Sequence, residues 1–323
     1  MSYRSQSKKS LFLGASFFVL AVSAAPVLAQ QTAQADTESV IVTGTRVTGM
    51  TAADSPAPIT VLGADALTNV GAPNLIGSLS QTLPSFDAES HSGDLGTLMM
   101  SARLRGLNPN DTLVLVDGKR RHATANLHVL GQDGGFQGAA TADLDLIPTD
   151  AIDHIEVLQD GAAAQYGTDA IAGVVNIILK HSDAGGMFAA KGGQYYKGDG
   201  DTYDFSGNIG FDLGGKGFLN ITAEKRYRGY SQRTGPNTRV ATATGAPLPG
   251  LPFDATTLPG FPNTSAYIGD PESQLTTVFY NSEYSLAPNL TLYSFGSYGH
   301  RNASSNQTYR PPQSNWVYCS SNL

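Results

Sequence analysis

The chain has 323 residues, of which 20 are basic and 27 acidic, and its formal net charge is −7 at pH 7. Hydrophobic residues make up 41% of it, which excludes a wholly disordered chain. The acidic balance argues against nucleic acid as a partner, because phosphate binding needs clustered Lys and Arg. Only 15% of the residues are charged while Gly and Tyr are abundant, a composition typical of β-rich structure with many turns.

Residues 1–29 predict a secretory signal peptide. Three Lys and Arg residues precede a short apolar run at 11–22, and Val27-Leu28-Ala29 is an acceptable cleavage site. A transmembrane helix is disfavoured because the run is short and no stop-transfer charges follow it. Cleavage would remove three of the 20 basic residues and leave 17 against 27 acidic ones, a net charge of −10.

Residues 30–55 are polar and small, and they predict a flexible tether. Within them, residues 40–43 (Val-Ile-Val-Thr) form a strand-prone run. We expect this run to be an exposed ribbon that can add as a strand to the edge of a partner's sheet. A β-prone stretch in a disordered tail is the alternative.

Residues 56–182 predict a mixed α+β unit of typical domain size. A helix is expected over 74–83, where Leu75, Ile76 and Leu79 share a face and Pro84 ends it. Thr149 is expected to cap a second helix, and Asp117-Gly118 to turn the chain. Strands are predicted at 59–62, 101–105, 112–116, 154–158 and 174–179.

Residues 183–323 predict about five strands, several of them with one apolar and one polar face. Apolar and polar residues alternate over 202–213, and again over 219–224. The other strands are predicted at 187–196, 275–286 and 290–300, and the facing of the last is ambiguous. Strand lengths suit tilted strands that cross a bilayer, and tight turns alternate with a long connection over 229–273, as in outer-membrane barrels. A soluble β-sandwich also alternates and remains the alternative.

Three segments resemble the TonB-dependent outer-membrane receptors. "ESVIVTGTR" at 38–46 resembles their energy-coupling motif, the TonB box. "LRGLNPNDTLVLVDGKRR" at 104–121 and "IPTDAIDHIEVLQDGAAAQYGTDAIAGVVNIILK" at 147–180 resemble two segments of their plug domain. The match covers roughly residues 38–180, and the later strands are similar only in style.

The resemblance implies an α+β plug domain followed by antiparallel transmembrane β-strands of an incomplete β-barrel. The predicted organisation is a signal peptide (1–29), the TonB-box segment and tether (30–55), the plug (56–182) and the beginning of the barrel (183–323). The family closes a 22-stranded barrel, whereas about five strands are predicted, so we expect an N-terminal portion or a truncated reading frame. The partner of Cys319 could lie in the missing part.

The family's functional positions transfer residue by residue. The coupling residues are Glu38, Ser39, Val40, Ile41, Val42 and Thr43. The signature positions of the plug, expected to be structural, are Arg105, Gly106, Asp117, Gly118, Glu156, Gly161, Tyr166, Gly167 and Asn176. Arg103, Arg105, Glu156 and Asp160 are candidates for ion pairs within the plug or between plug and wall.

The outward loops of the plug, 87–100 and 122–138, are the expected ligand site. Their candidate contacts are His91, His122, His128, Gln132, Asp133 and Phe136. The histidine spacing matches no standard metal cluster, so no metal ligation and no cofactor are expected. Asp143 and Asp145 are interpreted as a polar strand edge, and no acid–base constellation indicates an enzyme.

The resemblance implies energy-coupled uptake of a scarce ligand, most often an iron–siderophore complex. The expected partners are the TonB protein, outer-membrane lipid and a small-molecule ligand such as a metal chelate. The expected location is the outer membrane, with the plug facing the periplasm and the barrel lumen. A non-transporting periplasmic signalling module built on a stand-alone plug is the main alternative, and an extracellular carbohydrate-binding β-protein is another.

Overall fold

The computed structural model describes residues 43, 55, 58–70, 74–87, 95–129, 135–159, 163–251, 253–258, 260–263 and 269–305. The predicted signal peptide, most of the predicted tether and Cys319 lie outside these residues. Among the helices that are described, none has the length and apolar character needed to cross a membrane.

The first part of the chain folds into short helices and a mixed sheet. Its helices are α1 (Ala64–Thr68), α2 (Leu75–Thr82) and α3 (Ala163–Tyr166). Its strands are β1 (Ile59–Gly63), β2 (Phe86–Asp87), β3 (Arg103–Leu104), β4 (Thr112–Val116), β5 (Lys119–Arg120), β6 (Ile152–Leu158) and β7 (Gly173–Leu179). Five of these strands form the first sheet, in the order β1-β6-β7-β4-β5. Strands β4 and β7 are parallel and the other neighbours antiparallel.

Local sequence explains the elements that were predicted correctly. Asn74 caps α2 by accepting a hydrogen bond from the Gly77 amide at 2.8 Å, and α2 buries Leu75, Ile76 and Leu79. Strand β4 is buried on both faces, as its unbroken apolar run requires. Asp117 and Gly118 both have positive φ, 45° and 71°, so the chain turns tightly into β5.

Two local predictions are wrong. Thr149 caps no helix, because residues Thr149–Ala151 make a single 3-10 turn that leads directly into β6, whose first residue Ile152 is β-branched. The strand predicted at 101–105 shrinks to β3, because Ser101 pairs only as an isolated bridge with Asp143.

Two apolar clusters cover the two faces of the first sheet. Ile155, Val157, Val175 and Ile177 pack against α1 and α2 in the larger cluster. The opposite face carries the smaller cluster. Its members are Leu113, Leu115, Leu158, Ala170 and Val174.

The later part of the chain forms an antiparallel second sheet. Its strands are β8 (Gly186–Gly193), β9 (Thr202–Asp212), β10 (Gly217–Arg228), β11 (Glu272–Ala287) and β12 (Leu290–Ser304). They pair in chain order, with β8 and β12 at the edges, so the described sheet is not closed. All five predicted strands are confirmed, and β9–β10 and β11–β12 are joined by tight turns.

The second sheet has an apolar outer face and a polar inner face. Tyr203, Phe205 and Ile209 of β9 are exposed, whereas Asn208 of β9 and Thr222 of β10 are buried. Ile209 of β9 is paired with Ile221 of β10, so apolar side chains are neighbours on the outer face. A soluble protein has the opposite arrangement, and this one is typical of a sheet that faces lipid.

The inner face of the second sheet packs on the first part of the chain mainly through polar side chains. Phe279 of β11 is the one residue of the second sheet, among those described, that belongs to the large apolar cluster, and Phe295 of β12 packs against it. Phe295 and Arg301 also settle the ambiguous facing of β12, because both point towards the first part. The predicted boundary at 182/183 falls between β7 and β8.

Candidate functional site

Two aspartates of the first part bind two arginines of the second sheet. Asp145 accepts hydrogen bonds from Arg226 of β10 and, at 2.8 Å, from Arg301 of β12. Asp143 accepts from the same Arg301 at 2.6 Å. The side chains are at most 14% exposed. Buried charges of this kind need close partners, and here each partner lies on the opposite side of the interface.

A 3-10 turn fixes the two carboxylates. The turn spans Leu144–Leu146, and Asp143 caps it by accepting from the Asp145 amide at 3.1 Å. Burial raises the pKa of Asp143 above its usual value, although Arg301 opposes this. Burial alone would also raise the pKa of Asp145, but Arg226 and Arg301 hold that pKa below its usual range. The prediction of a polar strand edge is therefore wrong, because both side chains lie in the interface.

Arg301 also reaches the first of the two predicted ligand loops. Its Nη1 atom donates to the Leu98 carbonyl at 2.6 Å, and the Met100 amide donates to Asp143 at 3.2 Å. One guanidinium group thus joins β12 to the described end of loop 87–100.

The two predicted ligand loops pack on each other. Gly96 lies so close to His128 that a Cβ atom at position 96 would be 2.7 Å from the His128 Cγ atom. The His128 ring lies 5.6 Å from that of Phe136, and Arg103 lies 5.0 Å above the Phe136 ring. His128 and Phe136 are fully buried, so ligand contact through them requires the loop to move.

His122 is the predicted ligand contact that the structure places on the surface. It lines a cavity of about 440 Å³ together with Asn110, Arg120, Arg121 and Asp169. The neighbouring charge of Arg121 lowers the pKa of His122, and partial burial adds to this. The lowered pKa favours the neutral ring, and Arg120 and Arg121 bring positive charge to the cavity. His91, Gln132 and Asp133 lie outside the described residues.

The described contacts of Arg103 and Arg105, two of the predicted ion-pair candidates, lie within the first part of the chain. Arg103 pairs with Asp87 at 3.3 Å, and Arg105 donates to the Ile171 carbonyl at 3.0 Å. Glu156 lies in β6 and binds groups of the first part, described next. Asp160 lies outside the described residues.

Signature residues meet at the centre of the first sheet. Glu156 of β6 and Asn176 of β7 are opposite each other in register, and both are buried. Thr43, the last of the predicted coupling residues, donates its hydroxyl to Glu156 and accepts from Asn176 at 2.9 Å. Thr43 is fully buried, so the expectation of an exposed ribbon is wrong at this residue. Residues 38–42 lie outside the described part.

Turn residues account for most of the remaining signature. Arg105 and Gly106 have φ of 54° and 70°, and Gly167 has φ of 90° after α3, which ends at Tyr166. Asp117 accepts from the Leu179 amide at 2.9 Å, and burial raises its pKa. Gly161 lies outside the described residues.

No group of three or more His, Cys, Asp and Glu side chains within the described ranges is arranged to hold a metal ion. Asp143, Asp145, Arg226 and Arg301 form an ionic cluster, and Arg226 also pairs with buried Glu224 at 3.3 Å.

Comparison with known proteins places the first part of the chain in a recognised group. Residues 51–174 match the family described as the TonB-dependent Receptor Plug Domain. The ferric enterobactin receptor of Pseudomonas aeruginosa is 34% identical over 115 residues, which cover 34% of this chain and 15% of that receptor. The probable TonB-dependent siderophore receptor PirA of Acinetobacter baumannii is 30% identical over 152 residues, 46% of this chain and 19% of that protein.

Solved structures extend the similarity into the second sheet. A variant of the ferric enterobactin receptor PfeA of Pseudomonas aeruginosa, in complex with enterobactin, superposes with a TM-score of 0.56 at 19% identity. It covers 77% of this chain, whereas the chain covers 34% of it. PirA of Acinetobacter baumannii gives a TM-score of 0.53 at 18% identity, with 76% and 32% coverage. The chain thus spans about a third of the length of these structures.

Proposed function

Residues 51–174 belong to the plug-domain family of TonB-dependent receptors, and on that premise we propose that the chain supplies the plug and first wall strands of an outer-membrane receptor for energy-coupled uptake of an iron–siderophore complex. Its fold is an α+β plug domain followed by antiparallel strands of an incomplete barrel. The plug comprises residues 56–182 and the wall begins at 183.

One observation carries the proposal: the second sheet turns its polar face to the plug and its apolar face outwards. Phe188, Tyr203 and Tyr298 are 75%, 52% and 64% exposed on β8, β9 and β12. Such a surface is stable when lipid covers it, whereas in water it would be an aggregation hazard. The outer membrane is the location that this surface supports, together with the predicted signal peptide.

The polar interface suits a plug that must be retained and also rearranged. The charged and hydrogen-bonded contacts of Asp143, Asp145 and Arg301 can exchange with water when the plug shifts. A large apolar interface would instead expose hydrocarbon on every displacement. Transport by this route involves no covalent chemistry, and we propose that the protein is not an enzyme.

An iron–siderophore complex is the proposed cargo because the curated relatives are named for enterobactin or siderophores. A chelated iron arrives already coordinated, so the receptor needs a shaped polar surface and no metal ligands of its own. The ligand loops, through His91, His122, His128, Gln132, Asp133 and Phe136, are the proposed contact region.

The proposed energy source is the TonB protein, which would add a strand to Glu38–Thr43 and pull. Uptake of ferric enterobactin labelled with radioactive iron, in iron-starved cells that express the natural protein, tests this. Ile41→Pro should abolish uptake and retain surface binding, because Pro removes a ladder donor. Ile41→Val is the matched control and should transport normally.

Unchanged uptake by the Ile41→Pro variant would contradict the proposal that TonB acts through residues 38–43. If the unaltered protein did not bind ferric enterobactin, the proposed cargo would be wrong. A stand-alone periplasmic module is the rival, and recovery of the chain as a stable periplasmic protein in fractionated cells would favour it. The exposed apolar face of β8–β12 argues against that rival.

A further inference from the structure

The cavity that His122 lines, of about 440 Å³, lies along the edge of the first sheet at β4 and β5. Its walls include residues 112–114 of β4, Arg120 of β5, the following Arg121, and residues 140–142. A volume of this size is typical of sites that hold small molecules. The side chains that line the cavity therefore decide which kind of molecule it can hold.

Arg121 is half-buried at this cavity and forms no ion pair with any carboxylate of the described residues. Its Nη1 atom donates to the Ser297 hydroxyl at 3.2 Å, and its guanidinium carbon lies 5.8 Å from the centre of the Phe279 ring. Burial lowers the pKa of Arg121, although the charge of Asp143 opposes this. Because a guanidinium group withdrawn from water is stabilised by a nearby anion, Arg121 favours an anionic occupant of the cavity.

Two threonines that line the cavity have hydroxyl groups without partners. The Oγ1 atoms of Thr112 and Thr141 are buried, and neither has a hydrogen-bond partner among the described residues. Thr112 is 4% exposed. Buried hydroxyls are almost always hydrogen-bonded, and each can donate to an anionic oxygen. These two donors and the Arg121 guanidinium line one cavity, which points to a ligand that carries oxygen atoms.

Arg120 adds a second positive charge that a ligand can use. It pairs with Asp169, but both side chains are more than half exposed. An exposed ion pair is weak, so a competing anion can displace Asp169 from Arg120 at little cost. The His122 ring, whose lowered pKa favours the neutral form, can donate one further hydrogen bond.

The charge at the cavity is opposite in sign to the charge at β9 and β10. The described residues of those two strands bury two carboxylates, Asp204 and Glu224, and one arginine, Arg226, which Asp145 also binds. An anion that moved between the first part of the chain and the second sheet would be repelled there. Arg121 instead lies against β11 and β12, so an anion is attracted on that side.

We propose that the cavity is a binding site for an anionic chelate that passes between the plug and strands β11 and β12, and that Arg121 is its buried cationic contact. The chelates that fit are those whose iron is held by catecholate or carboxylate oxygens, because such complexes carry net negative charge. Thr112, Thr141 and Arg120 supply further hydrogen-bond donors to these oxygens. The inference rests on the proposed function, to which it adds a binding site on the flank of the plug and a side of the plug for passage.

Charge-selective thiol labelling of the purified natural protein tests the site. In a Cys319→Ser background, Ala123→Cys places a thiol at an exposed position of the cavity wall. Its rates of reaction with an anionic and a cationic methanethiosulfonate of similar size are compared. Relative to free cysteine, the anionic reagent should be favoured about tenfold, because the two arginines concentrate anions at the cavity. A ratio of rates equal to that of free cysteine would overturn the proposal.

Arginine variants assign the preference for anions to the cavity. Arg121→Gln should move the ratio of rates most of the way to that of free cysteine, and Arg121→Lys, which keeps the charge, should retain it. Arg120→Gln should also lower the ratio, and it changes an exposed side chain that the fold does not need. Arg239→Gln is the matched control, because Arg239 is exposed on the long connection and does not line the cavity. Equal falls in the Arg239→Gln and Arg121→Gln variants would overturn the assignment.

Uptake tests whether the anion site lies on the route of transport. At saturating ferric enterobactin, Arg121→Gln should lower the maximal rate of uptake severalfold, and Arg121→Lys should restore most of it. An unchanged maximal rate in Arg121→Gln would overturn the route through the cavity. The labelling rates involve neither siderophore nor TonB, so absence of uptake by the unaltered protein would contradict the proposed function and leave the anion site supported.

Discussion

Arg301 of β12 and Asp143 of the plug are joined by a hydrogen-bonded ion pair of 2.6 Å, and the same Arg301 nitrogen donates to the Leu98 carbonyl at 2.6 Å. A wall strand is thus bound both to the plug interior and to a loop that we propose meets the ligand. The pair is one of the contacts that hold the two sheets together, beside that of Arg226 with Asp145.

Loss of the Asp145 charge should weaken the plug–wall interface strongly. Asp145→Asn leaves Arg226 and Arg301 buried with one carboxylate fewer, and breaking a buried pair in this way costs about 3–5 kcal/mol. The loss of stability is measured as a shift in the urea midpoint for unfolding of the plug. Limited proteolysis of the reconstituted protein monitors this unfolding.

Asp169→Asn is the matched control, because Asp169 also pairs with an arginine, Arg120, but both side chains are more than half exposed, at 52% and 55%. An exposed pair contributes under about 1 kcal/mol, so its midpoint should barely move. Equal shifts in the two variants would contradict the importance of the buried cluster.

Stability of the plug should fall at alkaline pH through His154. Burial alone would lower the pKa of His154, but the hydrogen bond to Asp153 and the nearby carboxylate of Glu156 raise it to about 9, above its ordinary value of 6.5. A raised pKa means that the folded state binds the proton more tightly, so the stabilisation is complete below pH 6.5 and disappears as pH rises through about 9.

The urea midpoints of the natural protein and of His154→Gln, compared from pH 6 to about 10, measure this contribution. We expect the two curves to be separated at the acidic end and to converge at the alkaline end. A constant separation would show that the His154 charge plays no part.

A positive charge on the outer face of β9 should impair insertion into a bilayer. Ile209→Arg places a guanidinium near the middle of the strand, where lipid contact makes it cost about 2–4 kcal/mol. Ile209 is 45% exposed and directed outwards, so the plug would not be disturbed. The free energy of folding into lipid vesicles, obtained by urea titration, measures the cost.

Gln274→Arg is the control for the depth of the introduced charge in the bilayer. Gln274 is exposed near the first end of β11, beside the long connection, where a charge costs about 0–1 kcal/mol. Equal effects at the two positions would mean that the outer face does not lie in hydrocarbon.

Regular elements could be predicted because their patterns are local. Strands β9 and β10 alternate with a period of two, and α2 combines a cap at Asn74 with an apolar face and a terminating Pro84. The prediction that Thr149 caps a helix was wrong, because a good cap residue can also begin a single 3-10 turn. Here a strand that starts with a β-branched residue follows the turn at once.

The ionic cluster could not be predicted because its members are distant in the sequence. Asp145 lies 81 residues from Arg226 and 156 from Arg301, and no local period relates them. Thr43 is a similar case, since its strand-prone neighbours favoured an exposed ribbon whereas Glu156 and Asn176 supply the reason for its burial. The one sequence feature that pointed to the cluster was the polar face of β9 and β10, because polar residues on an inner face require polar partners.

The central claim is that β8–β12 form a wall with lipid on one side and the plug on the other. Nitroxide labels placed singly along β9 in a Cys319→Ser background, with the protein in lipid bilayers, test it through collision with dissolved oxygen, which concentrates in hydrocarbon. Positions 203, 205, 209 and 211 should show high oxygen accessibility, and positions 204, 206 and 208 low accessibility. Uniform accessibility along the strand, or a pattern of the opposite phase, would contradict the account.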